Sequence, residues 1–200
     1  FDAVAAGVDR LRRFAPTLPI PARSTIHQRN FQHMPHLVET ARAMGMRGIS
    51  LLAADLRSAA FGHRDIEALQ SLRLGPDDVR ECRQVIEQLI ETHARDFASG
   101  FIAESPDKLR QIAQYYAAIN GDDRFPAKAC NAPWMSAVIE ANGDLRPCFF
   151  HPVVGSVRRD GVLTVVRKAL PLFRASLDVT TNAICERCVC SLKVGWLDQP

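Results

Sequence analysis

The residues with the most specific chemistry in this chain are its six cysteines, five of which fall from Cys130 to Cys190. Cys185 and Cys188 form a Cys-x2-Cys pair. That spacing is about one turn, so the two sulfurs can grip one metal centre. Cys130 and Cys148 flank an Asn142-Gly143 turn signal, and a hairpin there would bring a second pair of thiols together. Two converging pairs make a four-thiolate site of Cys130, Cys148, Cys185 and Cys188, with Cys190 as the alternate to Cys188. Soft thiolates select zinc or an iron–sulfur cluster, and the spacing leaves both open. Lys128, Arg146 and Arg187 stand beside these cysteines in sequence and could offset the anionic sulfurs. His151 follows Cys148 closely and could join a site of three thiolates and one imidazole. His27, His33 and His36 keep a spacing that matches no common metal site, and read as solvated. The sixth cysteine, Cys82, lies on an apolar helical stripe, where a free thiol packs as a small hydrophobe.

The elements that must position these groups are those of an ordinary globular protein. The 200 residues are 47% hydrophobic and 24% charged, enough to bury a core in one large domain or two small ones. A net charge of +3 is too small to argue for nucleic acid or anionic lipid. No apolar run approaches the roughly 20 residues of a membrane span. The start at Phe1-Asp2-Ala3 has no basic leader, which predicts a reducing cytoplasm and cysteines used as ligands rather than disulfides. A chain opening on Phe rather than Met also reads as a piece of a longer protein.

Helical spacing runs over residues 3–14, after which Pro16, Pro19 and Pro21 lead into an extended stretch, Ala22 to His27. Arg23, Thr25 and His27 share one face there, and Ala22, Ser24 and Ile26 the other. Pro35 to Met44 predicts a helix capped by Gly45, and Arg47 to Ala54 a buried parallel strand, the order of a βαβ unit. Ile66, Leu69 and Leu72 mark a short helix. Pro76 opens a longer one, with Val79, Cys82, Ile86, Leu89, Ile90 and Phe97 on its inner face. Ser105 caps a third helix, burying Leu109, Ile112 and Tyr116. Gly121 to Lys128 reads as a linker. Beyond it come a strand from Trp134 to Ala141, the Asn142-Gly143 turn, a return from Leu145 to Phe150, and a helix from Val162 to Leu177 interrupted near Pro171.

Cys130, Gly143-x4-Cys148 and Cys185-x2-Cys188 resemble the auxiliary-cluster domain of radical S-adenosylmethionine enzymes, called SPASM, or twitch in its one-cluster form. Trp134 and Ile139 before the turn, Pro147 before the cysteine and Phe173-Arg174 ahead of the last pair also fit. Residues 4–56 look similarly like the closing strands and helices of that family's barrel. The resemblance implies an α/β fold: the C-terminal portion of a partial (β/α)6 TIM-like barrel with a helical insert over residues 1–121. A small α+β SPASM/twitch-like domain would follow over 122–200. It implies one auxiliary [4Fe–4S] cluster, since only Cys190 follows the last pair. Such a cluster relays an electron or shapes the pocket for a peptide or small-molecule substrate. It further implies a longer parent with S-adenosylmethionine, that cofactor's own cluster, and a ferredoxin or flavodoxin as reductant. Arg23, Thr25 and Asn30 lie where the family's fifth strand faces the cofactor. The family's Cys-x3-Cys-x2-Cys loop occurs nowhere in these residues, so the chain by itself is expected not to cleave S-adenosylmethionine. The alternative is a non-enzymatic module whose four cysteines hold zinc for stability or partner binding.

Overall fold

A computed structural model describes residues 1–58, 60 and 67–193. It divides into two compact units, one of Phe1–Ala54 with Gln70–Arg124 and the other of Asp55–Leu69 with Phe125–Pro200. Ile66, part of the short predicted helix, lies outside the described residues; Ala68–Leu72 form a turn of 3-10 helix.

In the first unit, helix α1 (Asp2–Phe14) precedes strand β1 (Ala22–Ile26), helix α2 (Met34–Ala43) and strand β2 (Ile49–Ala53). β1 and β2 pair in parallel, Ala22 opposite Ile49 and Ile26 opposite Ala53, which is the predicted βαβ order. α2 buries Met34, Val38 and Ala41. It ends in a Schellman motif: Met46 N–H donates to the Ala41 carbonyl and Gly45 N–H to that of Arg42, with Gly45 at φ +59°. That backbone conformation is open to glycine and costly to a residue with a Cβ. Arg23 and Thr25 stand on the exposed face of β1, as the alternation predicts.

A third segment joins β2 on its other edge. Ile49 N–H donates to the Phe101 carbonyl, and Ala103 N–H to that of Ile49. The ladder then stops, because the next donor, Leu51 N–H, is taken by the Glu104 carboxylate at 2.8 Å, which also accepts from Ser50 Oγ at 2.7 Å. Helices α3 (Pro76–Thr92), α4 (Ala94–Ala98) and α5 (Pro106–Asn120) complete the unit. The stripe predicted to run unbroken to Phe97 is split at His93, where Thr92 Oγ1 turns back to the Gln88 carbonyl. Cys82 lies in the core of α3, fully buried. Tyr116 on α5 is equally buried, and its hydroxyl donates to the Ile26 carbonyl at 2.6 Å.

The second unit is built on a three-stranded antiparallel sheet, β3 (Val138–Ile139), β4 (Asp144–Arg146) and β5 (Gly155–Ser156). The hairpin falls at the predicted Asn142-Gly143, as a three-residue loop with Gly143 at φ +92°. The strand before it is shorter than predicted. Residues Ala132–Met135 form a helical turn, α6, with Pro133 in its first turn, so only Val138 and Ile139 pair. The interrupted helix runs as α7 (Val162–Thr164), a π-helical turn over Val165–Ala169, and α8 (Leu170–Ser176). The wider turn sits just before Pro171, which has no N–H to donate and whose ring crowds the preceding carbonyls. Leu145, Val165 and Leu170 form a small core, with Val154, Val157 and Ala169 packed against it. A short helix, α9 (Ala183–Glu186), carries Cys185 and is capped by the Asn182 side chain. Among the described residues, no helix is long and apolar enough to cross a membrane.

Candidate metal centre

Four short segments of the second unit deliver thiols to one neighbourhood. Cys130 precedes α6, Cys148 follows β4, Cys185 lies in α9, and Cys188 and Cys190 follow that helix. Their charges act on one another. Burial pushes the Cys148 thiol up, and the charges of Cys130 and Cys190 push it further. Burial raises Cys185 to about 11, with Cys148 and Cys130 adding to the shift. Burial raises Cys188 to about 12, with Cys190 and Cys148 adding and Lys128 opposing. Cys82 shares none of this. Its thiol is held up by burial in the first unit, among Arg83, Asp78 and Glu81.

Among the described residues, no group of three His, Cys, Asp or Glu side chains is close enough to grip a single ion. Backbone N–H groups approach the sulfurs of Cys130, Cys148 and Cys188. Leu192 N–H approaches Cys130 Sγ at 3.5 Å, while Asn131 N–H donates to the Leu192 carbonyl at 2.7 Å. The end of the described chain is thereby folded back onto Cys130. The backbone N–H groups of Phe150 and His151 serve Cys148 and pull its thiol down against burial. Cys190 N–H donates to Cys188 Sγ at 3.3 Å, and the Cys188 S–H to the Cys190 carbonyl at 2.8 Å. Cys190 thus serves Cys188 through its backbone.

Cys185 has a different neighbour: His151 Nε2 lies 3.2 Å from its sulfur. The histidine is 2% exposed, its ring stacked edge-on against Phe173 with centroids 4.9 Å apart. Burial lowers its pKa, which favours the neutral ring. Arg174, beside Phe173, donates to the carbonyls of Pro133 and Ser136 and so ties α8 to the segment after Cys130. Of the three cations expected to offset the sulfurs, Lys128 acts on Cys188. Arg146 is engaged by the Glu140 carboxylate at 2.6 Å and the His151 carbonyl at 2.9 Å.

This donor set fits an iron–sulfur cluster. Desolvated thiols with raised pKa values keep their protons until a metal shares the charge, and N–H groups directed at sulfur stabilise cluster thiolates. The other predicted residues lie in the first unit. Asn30 Nδ2 donates to the Thr25 carbonyl and Asn30 Oδ1 accepts from His27 N–H, so Asn30 braces the turn after β1. Arg23 sits on β1 opposite Ser50. His27 Nδ1 accepts from Arg29 N–H, and His36 pairs with the Glu39 carboxylate at 3.6 Å.

The sequence reading missed two buried polar groups, the Glu104 carboxylate and the Tyr116 hydroxyl. Each is satisfied by groups distant in sequence, Glu104 by Leu51 N–H and Ser50 Oγ and Tyr116 by the Ile26 carbonyl and Ala54 N–H, which no local pattern announces. A family model described as SPASM, an iron–sulfur cluster-binding domain, matches residues 130–189. The match indicates iron–sulfur cluster binding by this segment. No curated protein and no solved structure matches the chain.

Proposed function

We propose that this chain is the C-terminal part of a radical S-adenosylmethionine oxidoreductase. Cys130, Cys148, Cys185 and Cys188 would hold one auxiliary [4Fe–4S] cluster in a domain over residues 122–200. The observation that carries the reading is the match of residues 130–189 to the cluster-binding domain, a segment in which the half-buried thiols of Cys148, Cys185 and Cys188 each sense another thiol of the set. A cluster there supplies one-electron transfer. The residues around it would do the rest: partial burial limits water at the sulfurs, the N–H groups of Leu192, Phe150, His151 and Cys190 stabilise the thiolates, and Lys128 offsets the charge at Cys188. With a cysteine for each iron, the cluster would relay electrons to or from a substrate radical, or shape the substrate's pocket, rather than bind the substrate itself.

Residues 1–121 would be the closing part of the partial barrel. In favour of this stand the parallel β1–α2–β2 unit and the parallel pairing of Ile49 with Ile102, the beginning of a third parallel strand. Arg23, Thr25 and Asn30 would face S-adenosylmethionine in a longer parent. The substrate would be a peptide or small molecule, the reductant a ferredoxin or flavodoxin, and the compartment the cytoplasm. The test is anaerobic purification and reconstitution followed by metal and sulfide analysis. Brown protein with four irons and four sulfides per chain is the expected result. Colourless protein with one tightly held zinc would overturn the reading.

A further inference from the structure

The four proposed ligand sulfurs do not receive their hydrogen bonds in the same way. Cys130, Cys148 and Cys188 take theirs from backbone N–H groups, which a change of side chain other than to proline leaves in place. Among the described residues, the polar neighbour of Cys185 Sγ is a side chain, the His151 ring. We propose that His151 is a positioning residue that acts through Cys185: its Nε2–H donates to the ligand sulfur and holds the cluster's reduction potential up. The inference rests on the cluster reading above.

The geometry gives the ring little freedom to do otherwise. His151 is 2% exposed, stacks edge-on against Phe173, and has its carbonyl held by Arg146 Nη1 at 2.9 Å. Its own backbone N–H serves Cys148, so a single residue reaches two ligands from segments far apart in sequence. A cysteine bound to iron has lost its proton and can only accept, so the hydrogen between the ring and Cys185 must sit on Nε2. A donor to a ligand sulfur stabilises the reduced cluster, which carries one more negative charge, more than the oxidised one. Deleting it therefore makes reduction harder.

The experiment is an anaerobic potentiometric titration of the reconstituted protein, followed by electron paramagnetic resonance, for the wild type, His151→Phe and His151→Gln. Phenylalanine keeps a ring to stack on Phe173 and removes the donor, while glutamine returns an N–H at about the reach of Nε2. With iron and sulfide content unchanged, His151→Phe is expected to lower the potential by about 59 mV, a tenfold shift of the one-electron equilibrium. His151→Gln is expected to recover at least half of that. A second readout needs no variant: wild-type protein labelled with 15N-histidine is expected to show a weak nitrogen coupling to the reduced cluster, passed through the hydrogen bond. Equal potentials in His151→Phe and wild type would overturn the inference and leave the cluster reading intact. So would a nitrogen coupling of the size given by a direct iron ligand, or none at all. A wild type without iron and sulfide would overturn the functional reading itself.

Discussion

Leu145→Ala tests whether the small core of the second unit and the proposed cluster form one cooperative system. Leu145 is 1% exposed in β4, three residues before Cys148, and packs with Val165 and Leu170 in a core of few side chains. Removing three buried carbons forfeits about 2 kcal/mol of transfer free energy, and a residual cavity adds to that. Val154, Val157 and Ala169 are only partly buried around this core, so the site can collapse inward. The total should then stay at about 2–3 kcal/mol, the lower end for such substitutions. No sulfur is touched. Yet the strand that delivers Cys148 opens more often, by a factor of roughly 30 to 150 at about 1.4 kcal/mol per tenfold. Loss of the cluster to a chelator proceeds through that open form. The assay is anaerobic bleaching of the visible cluster absorbance by excess chelator, for which Leu145→Ala is expected to be faster by that factor. Leu163→Ala, at a side chain 63% exposed, serves as the control and should stay within about twofold. Bleaching of Leu145→Ala at the wild-type rate would refute the coupling of core to cluster.

Cys148→Ala should remove hydrogen-exchange protection across residues 130–190 while α3 and α5 keep theirs; unchanged protection in the second unit would contradict this. Tyr116→Phe should cost only about 1 kcal/mol in urea unfolding, because Ala54 N–H still bonds the Ile26 carbonyl at 3.0 Å and neither group is orphaned. A loss above about 3 kcal/mol would mean that the hydroxyl does more than these bonds show. The Cys82 thiol, raised from 9.0 to about 12 by burial, stabilises the fold fully below pH 9, and that contribution is lost as the pH rises towards 12. The unfolding free energy should fall by up to about 1.4 kcal/mol per pH unit in this window. Cys82→Ala should flatten the slope measured between pH 8 and 10.5, and an unaltered slope would exclude the thiol as its source. Finally, the 200 residues with their cluster rebuilt should release no 5′-deoxyadenosine from S-adenosylmethionine under strong reductant. Turnover would reveal an iron left open by the cysteines.

Patterns carried by neighbouring residues were legible in the sequence. The alternation in β1, the glycine after α2 and the prolines opening α3 and α5 are local signals, and the elements fall where they indicate. So does the Asn142-Gly143 turn, though the strand before it was read too long. Trp134 and Met135 look like strand residues, but Pro133 starts a helical turn that consumes them. The segment around Ile102 was not legible as a pairing partner of β2. Its three residues are too few to show a period, and the Glu104 side chain closes the ladder where a backbone carbonyl would continue it. At the candidate site, thiol spacing singles out Cys130, Cys148, Cys185 and Cys188 with Cys190 as the alternate, and the helical stripe sets Cys82 apart, buried on α3. The contact between His151 and Cys185 spans 34 residues. It depends on where α8 places Phe173 beneath the ring, which no spacing rule contains.

The return of Leu192 to Cys130 also bears on how the protein is made. The two residues are 62 positions apart, and a ribosome adding about 5–20 residues per second leaves roughly 3–12 s between them. During that interval the β1–α2–β2 unit is already complete and can fold. Cys130, by contrast, has neither the backbone donor nor the thiols that will later surround it. A thiol waiting in that state is open to oxidation and to mispairing with Cys148, the next to emerge. The second unit is therefore the part of the molecule whose yield should depend most on oxygen and on the supply of iron and sulfide during synthesis, whatever the strength of the finished site.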